Sequence, residues 1–131
     1  MVAQELWRQL PPPNGSFEQV VHEFRTNFIP NADANNLILQ MRTWEKHDVG
    51  NTLDFGGDVE KALRSIKVPF LYMPSETDLY FPVGDARYEA GFMSTVTLIP
   101  IPSLWGHTAG AASNPADEKF LNEKIGSFLG K

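Results

Sequence analysis

One stretch of the chain, residues 68–73, is apolar along its whole length instead of alternating with polar positions. Such a run, rich in β-forming residues, is typical of a strand that is covered on both faces, as in a parallel sheet. A second strand is predicted over 95–101, and the helical pattern between the two strands begins near Pro82. Because a strand–helix–strand unit forms a right-handed crossover, the two strands are predicted to be parallel. Two parallel strands do not form a stable sheet alone, so the sheet in this chain is predicted to be incomplete.

The first part of the chain, residues 1–57, is predicted to be a helical segment. One helix is expected to run from residue 17 toward residue 28 after a cap at Ser16, and a second begins after a cap at Asn31 or Asp33. Gly50 is expected to take a left-handed conformation after the last turn of the second helix. Four apolar side chains at helical spacing are expected to form the buried face of that helix: Leu37, Ile38, Met41 and Trp44.

The second part of the chain, residues 58–131, is predicted to contain helix, strand, helix, strand and helix in that order. A short helix over 58–66 precedes the first strand. The last helix has Asn114 as its cap, Pro115 at its first position and Gly130 just past its end. The chain is therefore interpreted as α/β, with a helical segment followed by an α/β segment.

Composition excludes several classes of function. The 131 residues carry a formal charge of −5, which disfavours a nucleic-acid partner because phosphate neutralisation needs clustered Lys and Arg. No stretch approaches the ~20 apolar residues that span a bilayer, and no secretory signal is visible. The absence of cysteine excludes disulfides, thiolate metal sites and thiol catalysis. We expect a cytoplasmic protein with no metal and no tightly bound cofactor.

Two loops follow the carboxyl ends of the predicted strands, where open α/β sheets place their active sites. The first loop carries Asp78 and the second carries His107. An Asp beside a His at such a position can accept a hydrogen bond from one ring nitrogen while the other nitrogen takes a proton. Each residue also has a plainer interpretation, because Asp is common in turns and His107 follows a glycine in a loop.

At these loops the sequence resembles the homoserine O-acetyltransferase family, whose fold is that of the α/β-hydrolases. Residues 75–82 (SETDLYFP) resemble the acid loop of that family, residues 105–107 (WGH) its histidine loop, and residues 33–50 its helical lid. The resemblance implies the carboxy-terminal portion of an α/β-hydrolase fold, with residues 1–57 as a lid-like segment and residues 58–131 as the α/β segment. It also implies that Asp78 is the triad acid and His107 the triad base, in the chain order that this fold uses.

The chain departs from the family pattern in two respects. The nucleophile of the family is a Ser in Gly-x-Ser-x-Gly upstream of the lid, and no such pentapeptide occurs in the sequence. The catalytic His of the family is typically followed by Asp, which would suit the ammonium group of an amino-acid substrate, whereas Thr108 stands here. The resemblance therefore does not extend to homoserine specificity.

The sequence thus predicts a carboxy-terminal part of an acyltransferase or hydrolase that is inactive alone. The resemblance implies an acyl donor such as acetyl-CoA and a small alcohol acceptor as substrates of the complete enzyme. The alternatives are a non-catalytic interaction module, which would form a homo-oligomer or complement a separate amino-terminal half, and a piece of a longer enzyme. The apolar stripe on the second helix is expected to belong to the core or, as the resemblance implies, to line an acyl pocket.

Overall fold

The computed structural model describes residues 17–130. The first predicted helix is confirmed in part, because only Phe17–Glu23 (α1) is α-helical. It continues as a π-helical turn, Phe24–Phe28, and then as a 3₁₀ turn, Ile29–Asn31. Ser16, the predicted cap of this helix, lies outside the described residues.

The second helix, Ala34–Lys46 (α2), begins after the predicted cap Asp33. The Asp33 carboxylate accepts a hydrogen bond from the backbone N–H of Asn36 at 2.8 Å. This bond satisfies one of the amide groups that have no partner inside the first turn of a helix.

The prediction that the apolar stripe of α2 is buried was wrong. All four of its side chains are exposed: Leu37 by 41 %, Ile38 by 49 %, Met41 by 63 % and Trp44 by 58 %. Helical spacing identifies which side chains share a face, but burial requires a second element packed on that face. Among residues 17–130, the ring contact on this stripe is the one between Trp44 and Phe81, whose centroids are 6.4 Å apart.

Gly50 has a role different from the predicted one. It is buried in a 3₁₀ turn, Val49–Asn51, and its backbone is not left-handed. A Cβ atom added to Gly50 would lie 2.8 Å from the carbonyl of Gly57 and 2.8 Å from the amide nitrogen of Val59. Glycine is therefore needed here for a close approach of two backbone segments, whereas the helix ends earlier, at Lys46.

The second part of the chain alternates helices and strands in the predicted order. The elements are α3 (Val59–Arg64), β1 (Phe70–Tyr72), α4 (Val83–Ala90), β2 (Val96–Leu98) and α5 (Pro115–Phe128). The cap of α5 is Asn114, Pro115 is its first residue, and Gly130 beyond its end has a left-handed φ of 73°. All three features of α5 match the prediction. The boundary predicted between residues 57 and 58 stays a prediction.

The two strands are parallel, as predicted, and form a two-stranded sheet. Phe70 pairs with Val96 and Tyr72 with Leu98. Past the strands, Ser75 and Ile101 form one further parallel bridge, so the two chain segments stay together as they enter their loops. The largest fully buried side chain in the described part of the chain is that of Ile101, at 1 % exposure. Ile101 thus lies buried where the two loops begin, and the other buried apolar side chains of the described residues are Ala62, Ala86, Met93 and Ala109.

Candidate active site

The loop after β1 holds Asp78 by its backbone and by its side chain. The loop starts beside the other strand, because the N–H of Glu76 donates to the carbonyl of Ile101 at 3.1 Å. Asp78 then turns its carboxylate back onto its own loop, where Oδ1 accepts from the N–H of Tyr80 at 2.8 Å and from that of Phe81 at 3.2 Å. Such Asx-type bonds fix the side chain of an aspartate, which leaves Oδ2 free to face another group.

The loop after β2 presents His107 from a short 3₁₀ helix, Gly106–Ala111. Gly106 has a left-handed φ of 55° and is buried, which favours glycine at the residue before the histidine. The glycine in the Trp-Gly-His sequence therefore has a conformational reason.

Asp78 and His107 are in contact. His107 Nδ1 lies 3.0 Å from Asp78 Oδ2, although the two residues are 29 positions apart in the sequence. The Asp78 side chain is 9 % exposed and that of His107 is 42 % exposed. The carboxylate side of the pair is therefore shielded from water, whereas the imidazole side is accessible.

The charge state of Asp78 follows from its surroundings. Burial raises the pKa of the Asp78 carboxyl, but the hydrogen bond from His107 and those from two backbone N–H groups outweigh burial and hold this pKa below its ordinary value. An ionised carboxylate is an acceptor only, so the Nδ1–H of His107 donates to it. In the neutral ring the lone pair is then on Nε2, and that nitrogen is the one that can take a proton.

Aromatic rings surround the imidazole. The ring of Tyr80 lies edge-on to His107 at a centroid distance of 4.9 Å, and the ring of Phe81 is tilted at 5.5 Å. Phe81 in turn contacts Trp44 of α2, which brings the helical segment to the histidine. No sequence pattern predicted these aromatic contacts, although Tyr80 and Phe81 follow Asp78 closely in the same loop.

A threonine side chain connects the two loops by hydrogen bonds, and no sequence pattern had indicated this connection. Thr77 Oγ1 donates to the carbonyl of Ser103 at 2.7 Å and accepts from the N–H of Gly106 at 3.1 Å. Both partners of the Thr77 hydroxyl are backbone groups, a carbonyl that every residue type supplies and an N–H that every type except proline supplies. No motif could therefore have predicted these bonds.

The histidine loop is also anchored to α5 through a buried polar cluster. Ser103 Oγ donates to Asp117 Oδ2 at 2.8 Å and accepts from the N–H of Trp105 at 3.1 Å. The amide group of Asn114 donates to the same carboxylate oxygen. Ser103 is 6 % exposed and Asp117 is 5 % exposed, so the cluster satisfies polar groups that water does not reach.

No serine hydroxyl contacts His107 among residues 17–130. The buried hydroxyl of Ser103 is bound to Asp117, and that of Ser75 accepts from the N–H of Thr77 at 3.4 Å. Within the same residues, no group of three His, Asp or Glu side chains is placed to hold a metal ion.

The described residues contain no helix that is both long enough and apolar enough to cross a membrane. A cytoplasmic location stays a prediction of the sequence.

Comparison with solved structures reveals what this arrangement is part of. The chain superposes on an acetyl esterase with a TM-score of 0.84 and 25 % sequence identity, over 99 % of this chain and 38 % of the esterase. The chain forms the carboxy-terminal part of an α/β-hydrolase fold. The predicted fold class is therefore confirmed.

Sequence relatives of the chain include esterases and homoserine O-acetyltransferases. It is 32 % identical over 104 residues to a probable esterase of Corynebacterium glutamicum, covering 79 % of this chain and 29 % of the relative. It is 32 % identical over 92 residues to an ethyl acetate hydrolase of Pseudomonas veronii, covering 70 % and 26 %. A homoserine O-acetyltransferase of Chlorobium chlorochromatii is 22 % identical over 116 residues, covering 88 % and 30 %.

The resemblance to homoserine O-acetyltransferases is confirmed, and esterases match as well. The chain spans less than a third of the length of each of these relatives. No protein-family model matches the chain.

Proposed function

We propose that this chain supplies the acid and the base of an α/β-hydrolase-type acyltransferase or esterase, with Asp78 as the acid and His107 as the base. The observation that carries the proposal is the hydrogen bond of 3.0 Å between His107 Nδ1 and Asp78 Oδ2. The pair lies at the carboxyl ends of two parallel strands, where this fold places the last two members of its triad.

In the complete enzyme a serine hydroxyl from the preceding part of the fold would face Nε2 of His107. As the serine oxygen attacks the acyl carbonyl, His107 takes the hydroxyl proton at Nε2 and becomes an imidazolium. Asp78 holds the ring in the required tautomer and stabilises its positive charge. As the bond from the acyl carbon to the leaving group breaks, His107 gives this proton to the leaving group, and an acyl-serine remains. His107 then takes a proton from a small alcohol, which makes the enzyme a transferase, or from water, which makes it a hydrolase, as that oxygen attacks the acyl carbon. The proton returns from His107 to the serine oxygen when the acyl–serine bond breaks.

An acetyl group fits this proposal best. Tyr80 and Phe81 place aromatic rings beside the imidazole at centroid distances of 4.9 and 5.5 Å, so apolar surface lies next to the base. The relatives named for acetyl esters or acetyl transfer support the same class of donor, such as a simple acetate ester or acetyl-CoA.

We propose that the chain is inactive alone. The sequence contains no Gly-x-Ser-x-Gly, so the base and its orienting acid have no serine to activate. A triad enzyme without its nucleophile retains only the residual catalysis that comes from binding and from its oxyanion hole.

Labelling with a fluorophosphonate probe tests the proposal of inactivity. The purified chain is treated with the probe and assayed for hydrolysis of p-nitrophenyl acetate, beside its His107→Ala variant. We expect no labelled serine in either protein. A serine that is labelled in the chain, with ester turnover that is lost together with the label in the His107→Ala variant, would contradict the proposal.

A second candidate function is a non-catalytic interaction module that forms a homo-oligomer or complements a separate amino-terminal half. The observation that favours it is the exposure of apolar side chains on α2 and just before β1, such as Leu39 at 64 % and Val68 at 65 %. Size-exclusion chromatography with light scattering distinguishes the candidates. A stable dimer at micromolar concentration supports the module, and a monomer of 14.7 kDa contradicts obligatory self-association.

A further inference from the structure

Thr77 is the residue before Asp78, and its hydroxyl binds the residue before His107. The distance from Thr77 Oγ1 to the amide nitrogen of Gly106 is 3.1 Å. The same hydroxyl donates to the carbonyl of Ser103 at 2.7 Å, so it uses both its donor and one acceptor site on the other loop. These two bonds connect the neighbours of the acid and the base along the chain.

The contact between Asp78 and His107 needs such a connection. The two loops leave the sheet separately, and the last backbone pairing between them is at Ser75 and Ile101. Beyond that bridge the histidine loop turns at Gly106 with a left-handed φ of 55°. The His107 side chain is 42 % exposed, and the rings of Tyr80 and Phe81 that contact it are themselves more than half exposed.

We propose that Thr77 is a positioning residue that holds His107 in hydrogen-bonding distance of Asp78 by clasping the two loops together. This inference rests on the proposed function, because it gives Thr77 the role of positioning the proposed acid–base pair. Thr77 acts through the backbone of the histidine loop and does not itself contact the substrate.

The histidine loop is also held by α5, so the two hydrogen bonds of Thr77 act on a loop that has a second attachment. Ser103 is bound through its side chain to the buried Asp117 of α5 and through its carbonyl to Thr77. The loop is therefore held between α5 on one side and the acid loop on the other. A change at Thr77 frees the side that faces Asp78 and leaves the side on α5 in place.

Two substitutions at one position separate the hydroxyl from the shape of the side chain. Thr77→Val keeps the volume and removes both hydrogen bonds, whereas Thr77→Ser keeps the hydroxyl and serves as the conservative rescue. The readout is the pKa of the Asp78 carboxyl, followed by carboxyl-carbon NMR in the full chain. The tautomer of the His107 ring is followed by long-range proton–nitrogen NMR. His107→Ala provides the reference for a carboxylate without its partner.

We expect Thr77→Val to raise the pKa of Asp78 toward its value in His107→Ala, because the hydrogen bond from the imidazole, which lowers this pKa, is lost. The signal of the Nδ1–H tautomer weakens in the same variant. Thr77→Ser keeps both signatures of the unmodified chain. A folded Thr77→Val variant with an unchanged pKa of Asp78 and an unchanged tautomer would overturn the inference.

If Thr77→Val does not fold, hydrogen exchange of the Gly106 amide in the unmodified chain tests the inference instead. The Gly106 amide is bonded to Thr77 and is expected to exchange its hydrogen more slowly than the unbonded amides of the same loop. Exchange of Gly106 at the rate of an unprotected amide would overturn the clasp.

The reference variant separates failure of this inference from failure of the proposed function. If His107→Ala does not raise the pKa of Asp78, the pair itself is absent and both proposals are wrong. If His107→Ala raises it and Thr77→Val does not, the pair stands and only the role of Thr77 is wrong.

Discussion

Asp78 divides its two carboxylate oxygens between its own loop and His107. Oδ1 accepts from two backbone N–H groups, and Oδ2 lies 3.0 Å from Nδ1 of the imidazole. The orientation of the carboxylate is thus fixed by its own loop, independently of the histidine. An acid that orients a base needs this property, because a mobile carboxylate would not select one tautomer of the ring.

Protonation of Asp78 at low pH should reduce the free energy of unfolding. The pKa of this carboxyl in the folded state lies below its unfolded value of about 3.9, so its stabilising effect is complete above that value and is lost as the pH falls through the folded pKa. We expect Asp78→Asn to lower the free energy of unfolding more at pH 6 than at pH 3, measured by urea denaturation. The exposed Glu45→Gln serves as the control. An equal loss for Asp78→Asn at both pH values would contradict this account.

Tyr72 should ionise at a higher pH than is ordinary for a tyrosine. Burial of its phenol, the hydrogen bond of 2.9 Å to Glu89 and the negative charge of Glu89 and Asp85 raise the pKa of Tyr72 to about 12. The stabilising effect of this phenol is therefore present below its unfolded pKa of about 10 and is lost as the pH rises toward 12.

Ultraviolet titration of phenolate absorbance measures this shift directly. Tyr72→Phe should remove the phenolate absorbance that develops near pH 12. The prediction is wrong if Tyr72→Phe instead removes absorbance that develops at the ordinary pH of a tyrosine.

Gly50→Ala should destabilise the chain because the added methyl group has no space. Its Cβ would lie 2.8 Å from backbone atoms of Gly57 and Val59, which cannot move as a side chain can. Overpacking of this kind costs about 1–3 kcal/mol. Gly84→Ala in α4 is the matched control, because nothing lies within 4 Å of its Cβ and alanine favours the helix by up to about 1 kcal/mol. Urea denaturation should give opposite signs for the two variants, and equal effects would contradict the close approach.

Ser103→Ala should weaken the anchoring of the histidine loop on α5. The substitution removes the hydroxyl that donates to the buried Asp117 and accepts from Trp105. Loss of a hydrogen-bond partner by a buried polar group costs about 1–3 kcal/mol. The exposed Ser94→Ala should change the free energy of unfolding by less than about 0.5 kcal/mol. A loss for Ser103→Ala no larger than that of Ser94→Ala would show that the cluster does not stabilise the loop.

Features encoded by short segments could be predicted from the sequence, and features that need a distant partner could not. The cap at Asp33 and the Asn114–Pro115 start of α5 depend on neighbouring residues. The start of α5 was predicted correctly, and Asp33 was one of two predicted caps, the other being Asn31. The parallel strands followed from the continuous apolar run and the crossover rule. The burial of the α2 stripe was predicted wrongly, because the spacing of Leu37 and Met41 does not specify what covers them.

The candidate site shows the same division. Asp78 and His107 were found because two strand ends meet at one edge of a sheet, and the structure brings them together. Their roles in catalysis stay a prediction. Thr77 was missed, because its partners are a carbonyl and an amide of the backbone, and such partners leave no trace in the identity of the residues that supply them.

The central claim is that Asp78 and His107 act on a serine supplied by the preceding part of the fold, and a chimaera tests it most directly. The segment of the Corynebacterium glutamicum relative that matches this chain is replaced by the chain, and hydrolysis of p-nitrophenyl acetate is measured. We expect an active chimaera that loses about 10⁴-fold or more of its kcat with His107→Ala and with Asp78→Ala, while His22→Ala keeps its rate. A chimaera that turns over at an undiminished rate with His107→Ala would contradict the claim.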